Sequence, residues 1–259
     1  MHTFEGESWE RWLHYIRRIE FERTVERIPL DRHATVLELG SGDGFQLGLL
    51  RQRFDHVFAI DPEHRPACAD GFVFAVAETL PFPDGAFDLV VSNCVVEHLR
   101  DRPHAIREAL RVLRVGGYMA HVVPRRFWKI TSLALNPVGY PLRVAEKWWA
   151  RRQALAQAGE ARGNSSALPP QPEVLQVLGR WFCPPVHGTY PSHLAECRAY
   201  GRQRWTDLFT HSALARLAEA PLFCYTQFGF LRFRLLGLRD WLSRRGLVSS
   251  AAFILRKIS

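Results

Sequence analysis

Cysteine pairs are missing from this sequence: Cys68, Cys94, Cys183, Cys197 and Cys224 are scattered, odd in number and never spaced as Cys-x-x-Cys. That excludes a disulfide framework and a zinc cluster, and it fits a reducing compartment. No run of about 18 apolar residues occurs, so a membrane-spanning helix is not expected. The stretch "MHTFEGESWERWLHYIRR" lacks the apolar centre of a secretion signal, which makes a cytoplasmic location the expectation. No internal repeat is present, which argues against a solenoid.

What remains is enough for a packed core. The 259 residues are 47% hydrophobic and 12% aromatic, room for one large α/β domain or two small ones. The net charge of +8 is uneven: residues 1–124 carry 14 Lys and Arg against 19 Asp and Glu, and the remainder carries 20 against 7. The basic second half reads either as a solvated arginine-rich surface or as a face for an anionic partner.

Trp9, Trp12, Leu13, Ile16 and Ile19 recur at helical spacing, predicting an amphipathic helix from residue 8 to about 27. Five short apolar runs follow at 35–40, 56–61, 71–76, 87–93 and 117–123, with helix candidates at 45–53, 63–69 and 102–114. This alternation predicts parallel strands covered on both faces by helices. Residues 125–162 read as helical and basic, broken at "NPVGYP", and "GNSSALPPQP" (163–172) reads as a mobile loop. Residues 204–220 read as one more helix, and 222–228 and 250–257 as strands. The expected fold is a doubly wound, mostly parallel, Rossmann-like sheet of about seven strands. Residues 1–124 and 198–259 would form it, and residues 125–197 would be inserted as a helical cap that shapes an acceptor site.

In "VLELGSGDGF" (36–45) an apolar strand enters a glycine-rich loop and leaves into a helix. The glycines remove Cβ atoms where the chain turns, and the helix aims free N–H groups at one point. A small ligand or a tight structural turn both account for such a loop. The dinucleotide fingerprint G-x-G-x-x-G fails, because the position five beyond Gly40 is Phe45.

Five segments in order resemble class I S-adenosylmethionine-dependent methyltransferases of the type-11 group. They are "ELGSGDG" (38–44), Asp61, "AETLPFPDGAFDLVVSN" (77–93), "VVEHLRD" (95–101) and "EALRVLRVGGYMAH" (108–121). The resemblance covers residues 34–124. It implies that Glu38, Gly40, Ser41, Gly42 and Gly44 cradle the methionine part of S-adenosylmethionine and that Asp61 holds the ribose. It further implies that Ala77 and Glu78 flank adenine and that the backbone at Asn93 fixes the amino group. Val76 stands where many relatives carry an acid for the adenine amino group.

His98 is the candidate general base, since its resting pKa lies near neutrality and its segment is implied to lie beside the methyl group. Glu97 is the second catalytic candidate, although adjacent helical residues cannot share a face. His121 reads as a buried hydrogen-bonded histidine, and His187 as part of a Pro/Gly-punctuated segment able to fold over an acceptor. No His, Cys or carboxylate cluster has metal-ligand spacing, so no metal is expected.

In "GFLRFRLLGLRDWLSRR" (229–245), Leu231, Leu235, Leu238 and Leu242 share a helical stripe ringed by arginines. The stripe reads as a surface helix covering the sheet or as an interfacial helix on anionic lipid, a peripheral contact at the inner membrane face. "PRRFWKITSLALNP" (124–137) is similar to segments of bacterial methyltransferases associated with surface polysaccharide or lipid. The expected function is methyl transfer to a small-molecule or lipid/glycan-linked acceptor, with oxygen favoured as the acceptor atom. RNA methylation is the alternative enzyme reading, but Asn93-Cys94-Val95-Val96 lacks the N-P-P-Y tetrapeptide used for base amino groups, and nucleic acid is disfavoured as a partner. A non-catalytic methyltransferase-like binding subunit is the third reading.

Overall fold

The structure is a computed structural model that describes residues 9–63, 70–161, 181, 184–211, 213–225 and 235–259. The chain begins with α1 (Trp9–Thr24) and a 3-10 turn (Val25–Arg27), then β1 (Thr35–Leu39), α2 (Phe45–Arg53), β2 (His56–Ile60) and β3 (Phe72–Val73). It continues through β4 (Phe87–Asn93), a second 3-10 turn (Val96–His98), α3 (Arg102–Val112), β5 (Leu113–Pro124) and α4 (Arg126–Ala161). Last come α5 (His193–Ala199), α6 (Arg202–Phe209), β6 (Leu214–Pro221), α7 (Leu236–Arg244) and β7 (Ser250–Lys257).

The seven strands form one sheet in the order β3-β2-β1-β4-β5-β7-β6. Strands β1 to β5 pair in parallel, and β7 runs antiparallel to both neighbours, β5 and β6. Alternation along each strand divides the core between two faces, as the pleat requires. Leu37, Val90, Met119, Phe253 and Leu255 face α3 and α6, where Ile106, Ala109, Trp205 and Phe209 cover them. Val36, Leu89, Val91 and Ala120 face the opposite way, beneath Leu47 and Leu50 of α2 and Phe21 at the end of α1. The expected doubly wound sheet is therefore present, with strand order reversing between β1 and β4. Ligands of open α/β sheets bind in the crevice at such a reversal, beyond the carboxyl ends of the strands.

Four expectations are corrected. Residues 204–220 are a helix followed by a strand: β6 pairs with β7 along its length, so sheet pairing overrides the helix-favouring composition of "LARLAEA". No strand spans 222–225, because the chain bends across the start of β7, with Leu222 N–H on Ser250 O at 3.1 Å and Ser249 N–H on Phe223 O at 2.8 Å. The run at 71–76 shortens to a two-residue strand. "NPVGYP" does not break α4, although Pro137 and Pro141 lie inside it. A proline at 141 removes the helical N–H that would reach the Pro137 carbonyl. The indole Nε1–H of Trp181 takes that place at 2.7 Å, while Asn136 Nδ2 donates to the Trp181 carbonyl at 2.6 Å.

The helix expected at 63–69 lies outside the described residues except for Glu63, and so do the loop at 163–172 and Leu231. In α7 the most buried residues are Arg239 and Ser243; of the leucine stripe, Leu238 is about half exposed and Leu235 and Leu242 are partly buried. Arg239 donates to the Cys224 carbonyl at 3.0 Å and lies over the ring of Trp12. No described helix is long and apolar enough to cross a membrane.

Candidate active site

The glycine loop sits at the carboxyl end of β1, at the reversal of strand order. Gly40, Gly42 and Gly44 have φ of 71°, 50° and 82°, the left-handed region open to glycine without cost. A Cβ at Gly40 would lie 2.5 Å from Cγ2 of Val95, so the segment after β4 presses directly on the loop. The N–H groups of Gly40 and Ser41 both donate to the Ile60 carbonyl, at 2.8 and 3.1 Å. Asp61, one residue on, accepts from Gly42 N–H at 3.0 Å with Oδ2 and from Glu63 N–H at 2.9 Å with Oδ1. One buried carboxylate thus ties the loop after β1 to the end of β2.

Two polar atoms beneath the loop are buried without hydrogen-bond partners, Glu38 Oε2 and Ser41 Oγ. Burial raises the Glu38 carboxyl to about 8, against the pull of Arg17. Arg17 donates to Glu20 Oε2 at 3.1 Å and to Asn93 Oδ1, and Asn93 Nδ2 donates to Glu20 Oε2 and Gln46 Oε1 at 3.0 and 2.9 Å. The side chain of Asn93 is thereby spent on anchoring α1, which leaves its backbone for a ligand. Arg17, Glu20 and Gln46 were not singled out from the sequence. Glu20 sits four residues beyond the core residue Ile16, and an acid on the apolar face of a helix was the available signal.

On the adjoining side, Ala77 is buried and Val76 is exposed. Glu78 Oε1 accepts from Arg100 N–H at 3.0 Å and from Asp101 N–H at 3.4 Å. Its carboxylate is engaged in fastening the loop at 77–80 to the start of α3.

Glu97 and His98 correct the expectation that one of the two turns away. They lie in a 3-10 turn, not an α-helix, and His98 Nε2 is 4.0 Å from Glu97 Oε1. His187 comes from almost ninety residues later and places its Nε2 3.8 Å from the same oxygen. The histidine rings meet edge to face with centroids 4.6 Å apart. Glu97 is wholly buried and neither carboxylate oxygen has a hydrogen-bond partner. Burial draws His98 below the usual histidine range, favouring the neutral ring. His187 is fixed through its backbone, with its N–H on buried Glu196 at 3.1 Å and its carbonyl accepting from Tyr200 Oη at 3.3 Å. Glu196 is itself paired with buried Lys129 at 2.6 Å. His121 is buried as expected, with Nδ1 2.8 Å from Ser92 Oγ and its ring stacked on Phe209.

Residues 37–121 match the sequence family described as a methyltransferase domain. Malonyl-[acyl-carrier protein] O-methyltransferase of Enterobacter lignolyticus is 33% identical over 119 residues, 41% of this chain and 47% of that protein. The ubiquinone/menaquinone biosynthesis C-methyltransferase of Xanthomonas oryzae is 31% identical over 147 residues, 51% of this chain and 53% of that one. Residues 37–121, about a third of the chain, are thus similar to methyltransferase domains, as the sequence resemblance implied. The chain spans about half the length of these curated relatives. At the level of fold alone, a methyltransferase from Mesorhizobium loti superposes with a TM-score of 0.54 at 15% identity, over 92% of this chain and 98% of its own. The [4+2]-cyclase SpnF does so with a TM-score of 0.54 at 16% identity, over 99% of this chain and 84% of its own.

The residues present fit S-adenosylmethionine, the cofactor that the sequence resemblance implies. The bare backbone at Gly40–Gly44 admits close approach, Ser41 Oγ and Glu38 Oε2 are orphaned beneath it, and the Asp61 carboxylate, a group able to accept from hydroxyls, lies against the loop at Gly42.

Proposed function

We propose that this protein transfers a methyl group from S-adenosylmethionine to an oxygen of a small-molecule or lipid/glycan-linked acceptor. The observation that carries the reading is the contact of Val95 with Gly40, which brings the start of the segment that carries Glu97 and His98 to the glycine loop. The relatives' names support small acceptors of differing chemistry, one an acyl-carrier-bound malonyl group and another a quinone precursor.

When bound, S-adenosylmethionine supplies a methyl group on a sulfonium whose charge is lost on transfer. The loop at 40–44 and Asp61 would hold the molecule, together with Ala77, Glu78 and the Asn93 backbone. Alignment and exclusion of water then carry much of the rate. His98 would take the proton of the acceptor hydroxyl as that oxygen is methylated. Glu97 stabilises the imidazolium so formed.

In this reading residues 125–197 cap the acceptor. Exposed Trp148, Trp149 and Trp241, the last with Arg245 3.7 Å over its ring, support a peripheral contact with anionic lipid. Calorimetric titration with S-adenosylmethionine, followed by radiolabelled methyl transfer to carboxylic, phenolic and lipid-extract acceptors, tests it. Absence of cofactor binding overturns the enzyme reading, and transfer to RNA in place of these acceptors overturns the acceptor class.

A further inference from the structure

We infer that Glu97, His98 and His187 form a binding site for a divalent first-row transition-metal ion. The ligating atoms of the three side chains all lie within 4.8 Å of one another. The contacts of Glu97 Oε1 with His98 and His187, at 4.0 and 3.8 Å, are too long for hydrogen bonds, whose heavy atoms lie about 2.7–3.2 Å apart. Ligands about 2.1 Å from a shared tetrahedral ion are roughly 3.4 Å apart. Closing the two Glu97 distances by about half an ångström, and the histidine pair from at most 4.8 Å, reaches that spacing.

The second observation is Glu97 itself, a wholly buried carboxylate with both oxygens unpartnered, facing two imidazoles. A buried carboxylate costs several kcal/mol unless a counter-charge reaches it. Lys129 is spent on Glu196, and Arg102 uses its Nε and Nη2 on the Val96 and Glu97 carbonyls and Thr189. A dication between the three side chains supplies what the described protein groups do not.

The frame around the site is built. Gly188 packs on the Glu97 carbonyl, Arg102 bridges the 3-10 turn to Thr189, and Glu196 and Tyr200 hold His187 from both sides of its peptide. Two imidazoles and one carboxylate suit zinc, cobalt, manganese or ferrous ions and leave coordination positions open. His98 and His187 are partly exposed, which gives an ion a way in. A bound ion would occupy the lone pair that the proposed base uses, and an acceptor hydroxyl would then be ionised by coordination. Metal binding itself does not depend on the methyl-transfer reading.

The test is Co²⁺ titration of the chelator-stripped full chain, followed by visible absorption, with Zn²⁺ calorimetry alongside. One ion per chain is expected. Glu97→Gln and His187→Gln should each weaken it by more than about a hundredfold, the upper end of what losing an outer-shell partner costs. His33→Gln, at an exposed histidine beside Asp55, should leave it unchanged. Retained S-adenosylmethionine binding shows that a variant is folded; if Glu97→Gln fails that check, His187→Gln at its partly exposed loop position carries the test. Absence of stoichiometric binding, or equal affinity in wild type and His187→Gln, overturns the inference.

Discussion

Gly188 lies so close to Glu97 that a Cβ at position 188 would stand 2.7 Å from the Glu97 carbonyl oxygen. The φ of Gly188 is +79°, which disfavours any side chain there irrespective of space. This contact sets the depth at which the 184–190 segment docks and thereby places His187 against a residue ninety positions earlier. Gly188→Ala is expected to cost about 1–2 kcal/mol for the left-handed backbone, before any clash. Thermal unfolding reads that loss. Methyl-transfer rate should fall further than S-adenosylmethionine affinity, because the displaced loop carries His187 and not the glycine loop.

Asp61 accepts from two backbone N–H groups and so organises the loop, and in the proposed function it also holds the ribose. Asp61→Ala should weaken S-adenosylmethionine binding by about tenfold to a hundredfold, since a charge-assisted hydrogen bond is worth about 1.5–3 kcal/mol. Asp61→Asn keeps one acceptor oxygen and should lose less. Titration calorimetry on the two variants checks the order, and unchanged affinity in Asp61→Ala would move the ribose elsewhere.

The sheet up to β5 was legible because its strands alternate with helices and bury both faces, leaving unbroken apolar runs such as "DLVVS" and "AHVV". The glycine loop was legible at the end of the first of these strands and Asp61 at the end of the second. Local composition misled at β6, where "LARLAEA" favours a helix and only the partner strand β7 decides otherwise. In α4 the outcome rests on Trp181, forty residues from Pro141, whose indole repairs the carbonyl freed by the proline. His187 joins Glu97 and His98 by tertiary docking alone, and no spacing rule reaches across such a gap. The sequence did show a Pro/Gly-punctuated segment around it, and Gly188 proves to be the residue that lets it dock.

His121 is fully buried on Phe209, with Nδ1 beside Ser92 Oγ and no partner at Nε2, and burial holds it at about 4. Between its unfolded value of about 6.5 and 4, the unfolded chain binds a proton that the fold refuses. Stability is therefore complete above about 6.5 and drops as pH falls, by about 1.4 kcal/mol per unit and roughly 3 kcal/mol in all. Urea unfolding at stepped pH should show it as a difference: between about pH 4.5 and 6.5 the stability of His121→Gln should change with pH by about 1.4 kcal/mol per unit less favourably than that of the wild type, whatever the absolute stability of the variant.

Glu38 gives the opposite sign. Its carboxyl is raised from 4.5 to about 8 by burial, with Asp43 and Asp61 adding to the rise and Arg17 opposing it. Between those values the fold holds a proton that the unfolded chain has released. The contribution is full below about 4.5 and is lost as pH climbs toward 8, each unit removing about 1.4 kcal/mol. Over 4.5–6.5 the slopes of His121 and Glu38 offset each other, so the acid side of the profile is steepest below 4.5. The alkaline decline above 6.5 belongs to Glu38. Glu38→Gln preserves the shape and the neutral character that the buried group has near pH 7, and Gln has no proton to lose. The variant should match the wild type at pH 5 and exceed it at pH 8 in urea midpoint. A wild-type profile that stays flat from pH 6.5 to 8, or a variant that declines in parallel with it, would show that Glu38 is ionised within the fold.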